Sequence, residues 1–227
     1  HDGALAIAFS DAAPGHLLAG NGDGTWADVS ATSAVSTETS DDVGWGTVFF
    51  DYDNDGWQDL FFAVGSIGTP SPLGNSLLHN NADGTFSNVS TLTGMDNEER
   101  GRATAIADMD GDGWVDMYIG NFDVPGLLMR NRSADLGATN NWLTITVEGP
   151  TSNRDGIGTE VILSNDNGTQ RQIISSGSNH GGGSQKAAFF GLAGTNGGTL
   201  TIEWPNGEVT TQAVSANQAL HFVEPTP

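Results

Sequence analysis

The sequence predicts an all-β protein: incomplete β-propeller-like blades that carry acidic, calcium-binding loops, followed by a small β-sandwich or barrel domain. Three observations predict it. The apolar segments run only four to six residues and are bounded by Gly, Asn, Asp and Pro, the length and punctuation of strands rather than helices. Glycine is abundant, at 32 of 227 residues, and hydrophobic residues reach only 37%, so much of the chain is turn. The first 132 residues also repeat themselves.

The repeat sets the order of the elements. Gly44-Trp45-Gly46-Thr47-Val48-Phe49-Phe50-Asp51 leads into an acidic loop and then Leu60-Phe61-Phe62-Ala63-Val64. Gly101-Arg102-Ala103-Thr104-Ala105-Ile106-Ala107-Asp108 leads into a second such loop and then Met117-Tyr118-Ile119, 57 residues further on. A second marker occurs three times, as Leu17-Leu18 with Asn21, Leu77-Leu78 with Asn81, and Leu127-Leu128 with Asn131. A third occurs as Asp23-Gly24-Thr25-Trp26 and Asp83-Gly84-Thr85-Phe86. Each unit reads as strand, acidic loop, strand, short strand, glycine turn, strand, which is the content of one propeller blade. Asp2-Gly3 followed by Ala4–Phe9 reads as the end of a further acidic loop and its strand, so residues 1–43 form a partial blade. Two complete loops and a stub fall short of the roughly four to eight blades that close a propeller. The chain opens on His1 rather than Met, so either a leader has been removed or a longer chain continues upstream.

From Trp142 the pattern changes. Leu143, Ile145 and Val147 alternate with polar residues, as do Leu200, Ile202 and Trp204. Val161-Ile162-Leu163, Ile173-Ile174, Phe189-Phe190, Leu220 and Phe222 mark further strands, and Asn167-Gly168 and Asn206-Gly207 are hairpin turn signals. The expected organisation is a repeat region over 1–132, a linker over 133–141 and a separate β domain over 142–227, with no helix signal anywhere.

The chemistry lies in the loops. Asp51-Tyr52-Asp53-Asn54-Asp55-Gly56-Trp57-Gln58-Asp59 and Asp108-Met109-Asp110-Gly111-Asp112-Gly113-Trp114-Val115-Asp116 both place carboxylates at positions 1, 3, 5 and 9. Calcium takes six to eight oxygens, and a tight turn wraps alternate side chains around it, with glycine at position 6 for the sharp bend. Position 7, Trp57 or Trp114, is expected to offer its backbone carbonyl. An EF-hand would carry glutamate at position 12. Here Phe62 and Ile119 stand there, so position 9 closes the cage instead. Two calcium sites are expected: Asp51, Asp53, Asp55, Trp57 and Asp59, and Asp108, Asp110, Asp112, Trp114 and Asp116. Magnesium, which gives up its water reluctantly, fits an all-protein cage less well.

These residues resemble the FG-GAP/VCBS type of calcium-binding repeat, through Asn21-Gly22-Asp23-Gly24-Thr25 and the two Asp-x-Asp-x-Asp-Gly-x-x-Asp loops. The tail resembles the ASPIC/UnbV domain, at Ser152-Asn153-Arg154-Asp155-Gly156-Ile157-Gly158, Phe190-Gly191-Leu192 and Trp204-Pro205-Asn206-Gly207. Repeats followed by this tail resemble the cartilage acidic protein family and its bacterial relatives. The resemblance implies a secreted, calcium-stabilised scaffold with no catalytic role, and it departs from the family in having too few repeats to close a propeller.

Composition excludes other classes. The formal charge is −21 and the single lysine is Lys186, so no basic surface exists for nucleic acid or an anionic membrane. There is no cysteine for disulfide or thiolate chemistry, and no apolar run long enough to span a membrane. His1, His16, His79, His180 and His221 stand singly without metal-ligand spacing, and structural or exposed roles are expected of them. The glycine-rich stretch Gly177–Lys186 lacks phosphate-loop spacing and reads as a flexible hairpin loop. The six tryptophans sit at repeat positions that point to packing rather than to a sugar platform. Asn88, Asn131 and Asn167 head N-glycosylation triplets.

Blades that do not close leave strand edges and apolar faces uncovered. Copies of the same chain joined head to tail would cover them, and such contacts give filaments when they do not close. The expected function is a structural subunit of an extracellular filament or surface layer. The alternative is a calcium-dependent adhesion or glycan-binding module from a longer secreted chain. A polysaccharide-cleaving enzyme is a third reading, for which no catalytic set is visible.

Overall fold

The repeat in the sequence is a repeat of hydrogen bonds. A computed structural model describes residues 4–39, 43–66, 74–177 and 179–226, so Asp2-Gly3 lies outside the described residues. The first sheet contains β1 (Ala6–Phe9), β2 (His16–Gly20) and β3 (Trp26–Asp28), and the second contains β4 (Gly44–Phe50), β5 (Asp59–Val64), β6 (Ser76–Asn80) and β7 (Phe86–Asn88). In both, a serine closes the turn after the last strand. The amides of Leu17 and Leu77 donate to Ser30 Oγ at 2.9 Å and Ser90 Oγ at 2.8 Å. Those hydroxyls in turn donate to Asp28 Oδ1 and Asn88 Oδ1. Short polar side chains are suited to closing a turn in this way.

The third sheet, β8 (Gly101–Ala107), β9 (Asp116–Asn121) and β10 (Leu127–Met129), runs in the order β10-β9-β8. Its register departs from the leucine marker. Leu78 pairs with Leu60, but Met129 pairs with Met117, so Leu128 and Met129 take the places of Leu77 and Leu78, and Asn131 takes that of Asn80 rather than Asn81. The acidic loop sets this register. Asn80 N–H donates to Asp59 Oδ1 at 2.9 Å and Asn131 N–H donates to Asp116 Oδ1 at 2.7 Å. A one-residue slip would turn every side chain of β10 to the other face.

Alternation along the strands divides the core. Leu60, Phe62 and Leu78 pack with Leu17 and Val35 between the first and second sheets. Phe61 and Leu77 face the other way and pack with Met117, Ile119 and Ile106 of the third. Two single-turn helices, α1 (Val35–Glu38) and α2 (Ser90–Thr93), correct the expectation of no helix. Four residues are too few to show a helical period in the sequence, yet Val35 is fully buried.

Two further sheets share one core of Leu143, Ile145, Val161, Leu163, Phe190, Leu200 and Ile202. One has β11 (Asn141–Glu148) at its centre, antiparallel to β14 (Ala187–Ala193) and parallel to β17 (Gln218–Val223). The other runs β13 (Gly168–Ile173), β12 (Glu160–Asn165), β15 (Gly197–Glu203), β16 (Val209–Ser215). Gly168 and Gly207 lie at the β12–β13 and β15–β16 turns with φ of 118° and 90°. Among the described residues no helix is long and apolar enough to cross a membrane.

The glycine-rich segment is not a free hairpin. Asn179 Oδ1 accepts from Thr104 N–H and its Nδ2 donates to Thr104 O, while Ile106 N–H donates to Ser184 Oγ and Gln185 N–H to Ile106 O. The segment thus covers the edge of β8, groups that would otherwise invite another strand.

Glu224 fastens the end of the described chain. Burial opposes its charge, but the amides and hydroxyls of Thr151 and Ser152 donate to it and together hold it down at about 2, below the ordinary 4.5. Its folded value lies below its unfolded value, so its contribution is full above about pH 4.5 and is lost as pH falls toward 2. Glu224→Gln should therefore lower stability in urea at pH 7, and the difference from the native chain should shrink steadily below pH 4.5. Leu60→Ala should cost about 2–5 kcal/mol in the same assay by opening a cavity between the first two sheets.

Candidate metal centre

Each acidic loop joins two neighbouring antiparallel strands, β4 to β5 and β8 to β9. The turn is made by residues in left-handed conformations: Asn54 at φ 56° and Gly56 at 96°, and Gly111 at 77° and Gly113 at 84°. This coil aims backbone amides at the first carboxylate. Asp55 and Gly56 N–H donate to Asp51 at 3.1 and 2.8 Å, and Asp112 and Gly113 N–H donate to Asp108 at 3.1 and 3.0 Å. Trp57 N–H donates to Asp55 and Trp114 N–H to Asp112. The last carboxylate returns to the start of the loop, where Asp59 Oδ2 accepts from Tyr52 N–H at 3.0 Å and Asp116 Oδ2 from Met109 N–H at 2.9 Å.

The carboxylates converge. One oxygen each from Asp51, Asp53 and Asp59 lie within 4.8 Å of one another, as do oxygens of Asp108, Asp110 and Asp116. Asp53 and Asp55 form a third such group with His79. Clusters of this kind are able to chelate a divalent cation, and the donors are the hard oxygens that calcium prefers. Asp51 and Asp59 are almost fully buried. Burial, and then the charges of Asp59, Asp55 and Asp53, push Asp51 far above the ordinary carboxylate range. Burial pushes Asp59 up to about 8 and raises Asp55 as well. A buried divalent ion would reverse these shifts by stabilising the ionised forms. The second loop differs: a hydrogen bond from Arg130 holds Asp110 low, while burial raises Asp112.

The loops also touch each other and the C-terminal sheets. Asn54 Nδ2 donates to Gly113 O at 3.1 Å, and Asn131 Nδ2 donates to Tyr52 O at 2.7 Å. Asn140 Nδ2 donates to Asp53 O and Ala193 N–H to Asn54 O, both at 2.9 Å. A Cβ on Gly191 would stand 2.0 Å from Asp51 Oδ2, and one on Gly113 would stand 1.9 Å from the Trp142 ring. The glycine of Phe190-Gly191-Leu192 is therefore required where β14 lies on the first loop.

Sequence reasoning missed His79, which enters the first cluster from β6, and Arg130, which enters the second from just after β10. The available signal was their place immediately before Asn80 and Asn131. The glycosylation candidates differ in setting. Asn88 and Asn167 are exposed, whereas Asn131 is half-buried with its amide held by Tyr52 O.

Comparison with known proteins finds two families along the chain. Residues 51–119 match the family described as FG-GAP-like repeat, and residues 149–227 match the family described as ASPIC and UnbV. Cartilage acidic protein 1 of Xenopus tropicalis is 25% identical over 173 residues, covering 74% of this chain and 26% of that protein. The Mus musculus and Homo sapiens proteins of the same name are each 24% identical over 182 residues, covering 77% of this chain and 27% of theirs. The chain thus spans about a quarter of the length of the curated relatives it matches.

Asp53→Asn and Asp110→Asn should each remove one of two calcium-binding events in a calorimetric titration. Gly191→Ala should weaken the first event more than the second, although Gly191 contributes no ligand, because its new methyl displaces Asp51.

Proposed function

We propose that this chain, which carries FG-GAP-like repeat and ASPIC/UnbV domains resembling cartilage acidic protein 1, is an extracellular calcium-stabilised structural protein whose copies join head to tail into a filament or surface layer. Calcium is bound at two sites, by Asp51, Asp53, Asp55, the Trp57 carbonyl and Asp59, and by Asp108, Asp110, Asp112, the Trp114 carbonyl and Asp116. Both kinds of domain are non-catalytic structural and adhesion modules. Residues 1–132 act as incomplete propeller blades, 133–141 as a linker and 142–227 as a small β-sandwich. N-glycans are carried on exposed Asn88 and Asn167.

The carrying observation is a matched pair of apolar faces. Strand register makes Ile7, Leu60 and Met117 equivalent, and likewise Ala8, Phe61 and Tyr118. The Leu60 face of the second sheet receives the first sheet, and its Phe61 face receives the third. At the first sheet the Leu60-type face is partly uncovered among the described residues, with Ile7 43% and Phe9 42% exposed. At the third sheet the Phe61-type face is bare, with Tyr118 47% and Leu128 62% exposed. The two uncovered faces are thus the same two kinds that mate inside the molecule, which is the condition for a heterologous, repeating contact. Among the described residues β1 bonds only to β2, and a cleft of about 320 Å³ lies beside it, lined by Ala6, Ala8, Thr47, Phe49, Ile106 and Ile173.

A second reading is favoured by coverage of only a quarter of the curated relatives: a calcium-dependent adhesion or glycan-binding module in a longer secreted chain, whose further repeats cover the same faces.

Sedimentation and electron microscopy in calcium separate the readings. Head-to-tail joining predicts polymers that Ile7→Asp and Leu128→Asp each abolish. Mixing these two variants should give one-to-one pairs and nothing longer, since each keeps one intact face. A native chain that stays monomeric in calcium at every concentration contradicts self-assembly and favours the module.

A further inference from the structure

The two acidic loops share a fold but differ in what the neighbouring strand sends into them. His79 follows Leu78, the partner of Leu60, and Arg130 follows Met129, the partner of Met117, so the two hold equivalent positions opposite Asp59 and Asp116. In the first sheet that position is Ala19, next after Leu18, the partner of Ile7. One position therefore holds methyl, imidazole and guanidinium in three successive units.

His79 Nδ1 lies 3.2 Å from Asp59 Oδ1 and 3.6 Å from Asp53 Oδ2. That nitrogen is buried and has no hydrogen-bond partner among the described residues, while the side chain as a whole is 26% exposed. The Tyr52 ring stands edge-on to the imidazole, with centroids 5.9 Å apart and planes at 77°, and helps to hold its orientation. A ligand atom of His79 also lies within 4.8 Å of those of Asp53 and Asp55. Calcium and magnesium select oxygen, whereas an imidazole nitrogen beside carboxylates suits first-row transition ions. Arg130 occupies the second loop differently. Its Nε lies 2.6 Å from Asp110 Oδ2, and its other arm reaches Asp135 at 2.9 Å. A guanidinium has no lone pair to give a metal.

We propose that the first loop takes a first-row divalent transition ion as well as calcium, with His79 Nδ1 supplying a nitrogen ligand beside Asp53 and Asp55, a ligand that the second loop lacks. This rests on the reading of both loops as metal sites. Transition ion and calcium share Asp53 and Asp55, so they compete for the first loop. Manganese(II) is the fitting probe, because it is the member of the series most at home with carboxylates.

The full-length chain is titrated with calcium and, separately, with manganese, and the manganese complex is examined by pulsed electron paramagnetic resonance for coupling to an imidazole nitrogen. At least one manganese bound to the native chain should show nitrogen coupling. His79→Ala should lose that coupling and at least about tenfold in manganese affinity, while still binding calcium at both loops. Manganese bound without nitrogen coupling in the native chain, equal manganese affinity in native and His79→Ala chains, or no manganese binding overturns the proposal. The coupling is read on the native chain and so decides even if the variant misfolds. Failure of the native chain to bind calcium is a separate result, and it overturns the reading of the loops as metal sites instead.

Discussion

The fold depends on bringing negatively charged oxygens together and neutralising them. Four aspartates in nine residues are coiled so that three of their oxygens stand within 4.8 Å in each loop. In the first loop two of those carboxylates, Asp51 and Asp59, are almost wholly buried. Burying like charges is among the costliest arrangements a chain can adopt, and a divalent cation is the compensation these donors fit. The consequence spreads outward. Asp59 and Asp116 each begin a strand and also accept an amide from the far end of the next one, through Asn80 and Asn131. Loop closure thereby sets the register of β6 against β5 and of β10 against β9. Through Asp51, Asn54 and Gly191 it also sets the seat of β14. Loop closure, sheet register and the docking of the C-terminal sheets form one mechanical chain.

Features encoded by short-range spacing were legible in the sequence. The Asp-x-Asp-x-Asp-Gly-x-x-Asp pattern located both loops, and the bend expected at position 6 appears as positive φ at Gly56 and Gly113. Alternation from Leu143 to Val147 located β11, and the Asn-Gly pairs located two hairpins. What was not legible depends on partners distant in sequence. The Leu127-Leu128 doublet matched Leu77-Leu78 by eye, yet it pairs one residue out because Asn131 is drawn to Asp116. His79 looked isolated because the aspartates it meets lie 20 or more residues away along the chain. Gly191 stood out only within Phe190-Gly191-Leu192, because Asp51, which lies against it, is 140 residues earlier in the chain. The glycine-rich segment read as loose because its partner, the edge of β8, is 75 or more residues distant in sequence. The single-turn helices carry no period to read.

The same alternation that builds the core leaves apolar side chains partly exposed on the two flanking sheets of the repeat region. Leu60 and Phe61 are neighbours on β5, point to opposite faces and are each fully buried. Their counterparts in the flanking sheets find a neighbour on one side only, so Ile7 and Tyr118 meet solvent. Completion by another copy and completion by further repeats of a longer chain use identical side-chain chemistry. The two readings of function therefore differ in connectivity and not in the nature of the contact.

Amide hydrogen exchange of the metal-stripped chain, followed by nuclear magnetic resonance as calcium is added, tests the central claim most directly. The account predicts that the amides of Tyr52, Asn80, Met109 and Asn131, the ones bonded to the closing carboxylates, gain protection together, and that the gain saturates when two calcium ions are bound per chain. Equal protection of these amides with and without calcium would contradict it.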